Sequence, residues 1–432
     1  MSDNSHLLAG FGEVDITPVS PENAPDAFKV FDPIGFRVIV LRCGEENLAL
    51  LTGDFFSFEN HMMEMVRAEL ADIEWLEPKN ILASVSHCGG VPILYPSYVN
   101  QPCEHLRAFG QEPRFAAAAA AAIRAAIADL RPANMGIGQA IGPDLNYNRR
   151  SYDRDGALVM SNFLLPYPRP ELTYGPIDPN VYVLRIDEVG QTPQIRAAAI
   201  VFGCHALCNN DKQGHISADY PGVARRMVQD SWHVPVAFAP GSIGNAVPMG
   251  RGGEAYRVIG EGVGAAAIRA LEGTETCTGD FEVRRATVRV PRLAGSGMEE
   301  AAAAVATIPA AQDGNARFNV YSAKNLADSA QMDYTLTAVR IGDALLLHLP
   351  GEVFVETAVA IRGGVEARPL VILSGPTADV GYLCPSRAHQ EGGMEPKFAA
   401  LAGEAEAIIR EAAIELATGI MRSENLAQLA AL

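Results

Sequence analysis

The chain lacks any apolar run long enough to cross a bilayer. A membrane-spanning helix needs about 18 or more uncharged apolar residues. The nearest approach is the alanine-rich stretch 116–128, which is too short and carries Arg124. Residues 1–6 also lack the positive charge and following apolar stretch that a secretory leader requires. We therefore expect a cytoplasmic protein that has no membrane partner.

Basic residues are scarce. The 34 Lys and Arg residues against 51 Asp and Glu give a formal net charge of −17. No Lys- or Arg-rich run is present that could neutralise the phosphates of nucleic acid or an anionic lipid surface. We expect a small-molecule substrate as the partner and no nucleic acid, and the composition leaves a homo-oligomer open.

Cysteine is also infrequent and irregularly placed. Seven cysteines in 432 residues, an odd number without regular spacing, do not indicate a disulfide framework. A reducing compartment fits this usage. Cys204 and Cys208 lie four residues apart beside His205. They are either thiol ligands of a metal or, as is commoner, small buried apolar residues.

What is present is an even alternation of short apolar strands and amphipathic helices. No Ser/Gly-rich linker or block of charge divides the chain, and hydrophobic residues make up 48% of it. That share is ordinary for a globular protein. The predicted fold class is α/β, with mixed β-sheets layered with helices. We interpret residues 1–432 as a single domain.

One sequence of elements occurs twice. A hairpin, an acidic residue, a helix and a further strand follow each other around Asp54 and again around Glu352. This order suggests two pseudo-repeat halves, at about 10–140 and 280–432, with a central segment at 141–279. Chance similarity is the alternative for so short a pattern.

Four polar side chains follow predicted buried strands and are candidates for a metal site. They are His87, His205, Glu352 and Tyr382. In an open α/β sheet, residues just past the carboxyl ends of strands line the crevice where ligands bind. Imidazole and carboxylate groups are usual zinc ligands. Tyrosine is rarer because its phenol has a pKa of about 10, so Tyr382 as a plain aromatic at the rim is the alternative.

Four segments carry a resemblance to a known family. Residues 12–18, 80–87, 216–222 and 349–354 match, in order, segments of the neutral/alkaline (non-lysosomal) ceramidases, which are zinc-dependent amidases. The resemblance implies a ceramidase-like catalytic domain, with its metal cleft at the carboxyl ends of strands and one Zn²⁺ ion per chain. Carried over by position, the zinc ligands would be His87, His205, Glu352 and Tyr382.

The resemblance also implies catalytic residues. Arg149 matches the active-site arginine of the family, which would stabilise an oxyanion or bind a substrate carboxylate. The family's catalytic serine falls at Gly241, and Ser242 is one residue away. No histidine base is evident beside Ser242, and backbone N–H groups of residues 241–245 are an alternative oxyanion cradle. We select Asp219 as the group that orients a ligand imidazole.

The departures from the family change the expected substrate. Gly89 stands where ceramidases have a further histidine, and Met394 stands where they have a tyrosine. The C-terminal immunoglobulin-like domain of many relatives has no evident counterpart. We therefore expect a zinc-dependent amidohydrolase, acting on carbon–nitrogen bonds other than peptide bonds. Metal-activated water would cleave an amide, lactam or ester of a small polar molecule, and ceramide itself is not the expected substrate. The alternatives are a metal-dependent lyase or epimerase acting on a sugar or hydroxy acid, and a non-catalytic metal-binding homologue.

Overall fold

The structure is a computed structural model, and it describes residues 6–17, 30–91, 112–160, 169–190, 194–209, 216–277, 281–293, 330–377 and 379–430. The strands are β1 (Leu8–Asp15), β2 (Gly35–Cys43), β3 (Glu46–Gly53), β4 (Ile81–Ala83), β5 (Arg131–Ile141), β6 (Asn146–Asn148), β7 (Arg150–Tyr152), β8 (Leu158–Met160), β9 (Thr173–Tyr174), β10 (Asn180–Glu188), β11 (Ile195–Phe202), β12 (Val236–Pro240), β13 (Ala246–Pro248), β14 (Phe281–Pro291), β15 (Gln331–Ile341), β16 (Ala344–Pro350), β17 (Glu352–Val353), β18 (Leu370–Gly375) and β19 (Tyr382–Leu383). The helices are α1 (Asn60–Glu69), α2 (Glu112–Ala128), α3 (Asp219–Trp232), α4 (Ala255–Glu272), α5 (Val355–Gly363), α6 (Ser386–Glu391) and α7 (Gly403–Ala430).

Two sheets form the centre of the molecule. The larger has eight strands in the order β12-β11-β10-β5-β1-β2-β3-β4, and the smaller has four in the order β14-β15-β16-β18. Both contain antiparallel and parallel pairs. Strand β2 shows why the strands are apolar throughout. Val38 belongs to the core under helices α1–α4, whereas Ile39 belongs to the core between the two sheets. Successive side chains of a strand point to opposite faces, so a strand buried on both faces is apolar at every position.

The layers follow from these cores. The smaller sheet contributes Leu346 to the core between the sheets and Leu347 to a third core. That third core also holds Ile361 of α5 and Ile409 of α7. The order of layers is therefore helices, eight-stranded sheet, four-stranded sheet, helices. This confirms the predicted fold class of mixed sheets layered with helices.

Three parts of the chain share one strand order. In β1-β2-β3-β4, in β5-β10-β11-β12 and in β14-β15-β16-β18, two antiparallel pairs are followed by a parallel pair. A helix connects the two parallel strands each time, namely α1, α3 or α5. Strands that run parallel end at the same edge of a sheet. Polar residues follow those ends in all three parts, namely Asp54, His87, His205, Ser242, Glu352 and Tyr382.

Helix α2 shows how small residues let a helix approach a strand. Ala122 and Ala126 are fully buried, and an added Cβ at Gly12 or Gly10 would lie about 2 Å from their respective carbonyl oxygens. Glycine in β1 is therefore required by the close contact. No helix in the described part of the chain is long and apolar enough to cross a membrane.

Candidate metal centre

The four predicted ligands converge. One ligand atom from each of His87, His205 and Glu352 lies within 4.8 Å of the other two. The Nε2 atom of His205 is 2.8 Å from Oε2 of Glu352, and Nε2 of His87 is 3.5 Å from its Oε1. The hydroxyl of Tyr382 lies 3.5 Å from Nε2 of His205. All four residues are at most 7% exposed. We refer to these four residues as the ligand cluster.

Two short parallel strands bring Glu352 and Tyr382 side by side. In the β17–β19 pair these two residues are in direct register. Each is preceded by a glycine with a positive φ, 93° at Gly351 and 63° at Gly381, a conformation that glycine adopts without steric cost. At Gly381 an added Cβ would also meet the carbonyl oxygen of Phe398. The Pro-Gly-Glu and Gly-Tyr motifs are thus local turns that bring the side-chain oxygens of Glu352 and Tyr382 together.

The two histidines are oriented by main-chain carbonyl groups. Nδ1 of His87 donates to the carbonyl of Phe56 (2.6 Å), and Nδ1 of His205 donates to that of Ala246 (2.9 Å). Since a carbonyl oxygen only accepts, each Nδ1 carries the proton, and in the neutral ring the lone pair is on Nε2. Metal-bound histidines are usually fixed in this way. His87 also has a φ of 57°, which is uncommon outside glycine.

Asp219 does not make the contact that the sequence analysis expected. It is buried with a φ of 55°. Its carboxylate accepts the backbone N–H groups of Cys208 (3.2 Å), Asn209 (2.9 Å) and Tyr220 (2.6 Å). The imidazole-orienting role therefore falls to main-chain carbonyl groups, and Asp219 instead holds the turn after His205 against the start of α3.

The charges of the cluster favour a cation. Burial by itself raises the pKa of Glu352, but His87, His205 and Arg149 outweigh it and lower that pKa to about 2. Burial lowers the pKa of His205, so its neutral form is favoured near pH 7. An ionised carboxylate oxygen and an imidazole lone pair 2.8 Å apart repel each other unless positive charge lies between them. The donor set of this cluster therefore fits a divalent metal ion.

Arg149 lies behind Tyr382. Its guanidinium carbon is 5.3 Å from the centre of the Tyr382 ring, and the residue is 1% exposed. Nε donates to Glu395 (2.7 Å) and Nη2 donates to the carbonyl of Gly244 (2.8 Å). Burial lowers the pKa of Arg149, but Tyr382 and Glu395 outweigh it and raise that pKa. The arginine is thus charged beside the cluster, and its role towards an oxyanion stays a prediction.

The loop of residues 241–245 packs against the cluster. An added Cβ at Gly241 would lie 3.0 Å from the backbone nitrogen of Gly203, so a serine side chain would be tightly packed against that backbone. Ser242 is buried beside Gly203, and its role as a nucleophile stays a prediction. Asn245 binds the carboxylate of Glu356 (2.7 Å) and the backbone N–H of Val355 (3.0 Å). The loop therefore fixes the start of α5, directly after Glu352.

Cys204 and Cys208 are buried near the cluster but do not join it. Burial raises the pKa of both thiols. A thiol must lose its proton to bind a metal. The group of metal-ligating side chains found in the described residues contains no cysteine. The structure therefore favours the packing interpretation of these two residues.

Two glycines beside the cluster give a matched test. We expect Gly381→Ala to weaken metal binding, because the left-handed conformation costs an L residue about 1–2 kcal/mol and the methyl group would displace Tyr382. Gly89→Ala should change nothing, because its Cβ would meet no atom of the described residues within 4 Å. Zinc affinity, measured by competition with a chelator, checks both. Equal affinities in the two variants would contradict the assigned geometry.

The fold is shared with known enzymes. The neutral ceramidase from Pseudomonas aeruginosa superposes with a TM-score of 0.71 at 17% identity, over 98% of this chain and 75% of that one. The chain has the neutral ceramidase fold. A ceramidase complexed with C2 superposes with a TM-score of 0.71 at 16% identity, over 97% of this chain and 76% of the other. No protein-family model and no curated protein matches the chain.

Glu395 and Arg150 lie behind the ligand cluster, and neither is among the residues that the sequence predicts for the site. Glu395 is 246 positions from Arg149, and it lies in a short 3-10 turn, Glu395–Phe398. No spacing rule connects such residues. The signal that distinguishes Glu395 is that it is a negatively charged residue and yet fully buried. Burial becomes visible only in the folded structure.

Proposed function

We propose that this chain is a zinc-dependent hydrolase that cleaves an amide, lactam or ester bond of a small polar substrate. The observation that carries the proposal is the convergence of two imidazole Nε2 atoms on one buried, ionised carboxylate. Both rings are already held with Nδ1 protonated and Nε2 available. The ceramidase fold adds support, since the structural neighbours are named as ceramidases.

His87, His205, Glu352 and Tyr382 would hold the ion in this proposal. When bound, Zn²⁺ polarises a carbonyl group and lowers the pKa of water towards neutrality. The residues of the chain would supply the orientation of the ligands and the charges around the ion. Main-chain carbonyl groups keep the imidazoles oriented, the Glu352 carboxylate supplies negative charge, and Arg149 adds positive charge behind Tyr382. In a buried site these fixed charges act through a low dielectric, where each is stronger than in water.

The expected substrate is smaller than ceramide because the substrate-receiving positions differ. Gly89 stands where the family has a histidine, and within the described part of the chain its Cβ would contact nothing within 4 Å. Gly241 stands where the family has its serine, and a Cβ there would lie 3.0 Å from the backbone nitrogen of Gly203. The proposed ligand set is thus retained while the groups around it are changed. This combination favours another acyl compound as the substrate.

Metal removal tests the proposal directly. We expect purified protein to contain about one zinc per chain, and we expect chelation to abolish hydrolysis that added zinc restores. The assay is a mass-spectrometric screen of pooled N-acyl amino acids, lactams and acyl sugars. Products formed in heavy-oxygen water should carry solvent oxygen, because hydrolysis adds water, whereas an epimerase need not incorporate it. Full activity after complete demetallation would refute the proposal.

A further inference from the structure

A buried ion network lies behind the ligand cluster. Glu395 is fully buried and is bound by two arginines, Arg149 through Nε (2.7 Å) and Arg150 through Nη1 (2.9 Å). Both arginines are at most 2% exposed. Arg150 also binds Glu391 (3.0 Å), which accepts from the hydroxyl of Tyr152 (3.0 Å). The network therefore holds a carboxylate between two guanidinium groups, and one of these faces the cluster.

Stability alone does not account for this network. Moving charges out of water costs several kcal/mol per ion. A protein in which apolar residues of similar volume replace a buried ion pair is often as stable or more stable. Burial raises the pKa of Glu395, but Arg149, a backbone hydrogen bond and Arg150 together outweigh it and lower that pKa, so the carboxylate stays ionised. A buried charge that is kept in this way points to a positional role.

Arg149 has its orientation fixed on two sides. Glu395 accepts from Nε and the carbonyl of Gly244 accepts from Nη2, and a planar guanidinium held at two of its nitrogens cannot rotate freely. In this orientation its carbon lies 5.3 Å from the centre of the Tyr382 ring, within the range of a cation–π contact. The segment that carries Glu395 also packs on Tyr382, because Gly381 pairs with Ala399.

We propose that Glu395 is a positioning residue for the metal centre: it orients Arg149, and Arg149 in turn fixes the hydroxyl of Tyr382 beside His205. The inference rests on the proposed function only in requiring that the ligand cluster binds a metal. Without Glu395 the guanidinium would lose its Nε partner and leave the Tyr382 ring. Tyrosine is the weakest donor of the set, so its placement determines whether the cluster offers three ligands or four.

Copper makes the contact with tyrosine visible. A tyrosinate bound to Cu²⁺ absorbs visible light by charge transfer, so Cu²⁺-loaded protein should show a band that is absent in Tyr382→Phe. We expect Glu395→Gln to shift or remove this band and to weaken zinc binding about 10- to 100-fold, the usual effect of removing an outer partner of a metal ligand. Glu395→Asp, which keeps the charge, should recover part of both signals.

Glu391→Gln is the matched control. Glu391 lies in α6, shortly before Glu395, and binds Arg150 and Arg387, and none of its described contacts is with Arg149. It should keep the band and the zinc affinity of the unchanged protein. Far-ultraviolet circular dichroism reports whether each variant folds. If Glu395→Gln does not fold, Arg149→Lys replaces it, since loss of the planar fork should produce the same spectral change.

Coupling between the two residues completes the test. Glu395→Gln introduced into Arg149→Lys should cost little more zinc affinity, because both changes break one chain of contacts. Additive losses would overturn the inference. So would the absence of a Tyr382-dependent band, an unchanged band in Glu395→Gln, or an equal loss in Glu391→Gln.

If the expected band changes occur but no substrate is hydrolysed, the proposed function fails and the positioning role stands. If substrate is hydrolysed but Glu395→Gln leaves the band unchanged, the proposed function stands and the positioning role fails.

Discussion

Substitution of His205 by alanine should remove zinc binding and, with it, all hydrolysis. His205 contacts Glu352 and Tyr382 and is 1% exposed. Its loss therefore deletes one ligand and leaves the Glu352 carboxylate buried without that partner. Losing an outer partner of a ligand costs about 10- to 100-fold in metal affinity, and losing the ligand itself should cost more. Metal content after dialysis, and the hydrolysis rate at saturating zinc, measure the two effects.

His61 provides the control for this experiment. It is an exposed residue of α1, and no described contact joins it to the ligand cluster. His61→Ala should keep full zinc content and full activity. A His205→Ala protein that is folded and still binds zinc as tightly as the His61→Ala protein would remove the cluster from consideration as the metal site.

Asp54→Asn should destabilise the protein by about 3–5 kcal/mol, the usual cost of breaking a buried ion pair. Asp54 is fully buried and binds both nitrogens of the Arg225 fork, at 2.5 and 2.9 Å. It also accepts from Arg37 (2.8 Å). The variant would leave Arg225 charged in the core without its carboxylate. Unfolding in urea, with zinc affinity measured on the folded protein, separates this loss from any effect on the metal.

The pH dependence of stability gives Asp54 a second test. Burial raises its pKa, but Arg225 and Arg37 outweigh burial and lower it. The stability that it contributes is therefore present above the unfolded-state pKa of about 4 and is lost as the pH falls towards the folded value. Acid should destabilise the Asp54→Asn protein less steeply than the unchanged one. Asp72, paired with Arg124 at the surface, is the control, and Asp72→Asn should have a far smaller effect on both measurements.

Much of the ligand cluster could be predicted because its residues are local signals. His87, His205 and Glu352 each follow an apolar strand within a few positions. The rule that ligands gather at the carboxyl ends of strands then places them together. The order of the layers follows in the same way, since strands that are apolar at every position need cover on both faces.

The strand order of the central segment and the hydrogen-bond partners in the site depend on contacts between residues that are far apart in the sequence. A local sequence pattern does not indicate such contacts. Strands β5 and β10 pair across 38 intervening residues, 142–179, that include four short strands, so no hairpin signal indicates the strand order of the central segment. The imidazole partners are carbonyl groups of Phe56 and Ala246, and every residue has a carbonyl group. The position of Asp219 after His205 suggests a contact with the imidazole, but its carboxylate instead accepts hydrogen bonds from nearby backbone N–H groups.

The members of the ligand cluster follow strands of both large sheets. His87 and His205 follow strands of the eight-stranded sheet, whereas Glu352 and Tyr382 follow strands of the four-stranded sheet. An ion bound by all four would tie the halves of the sandwich together at the rim of their shared core. A ligand at a thousand times its dissociation constant adds about 4 kcal/mol to the free energy of unfolding. The resistance of this protein to heat should therefore rise and fall with the zinc supply of its surroundings.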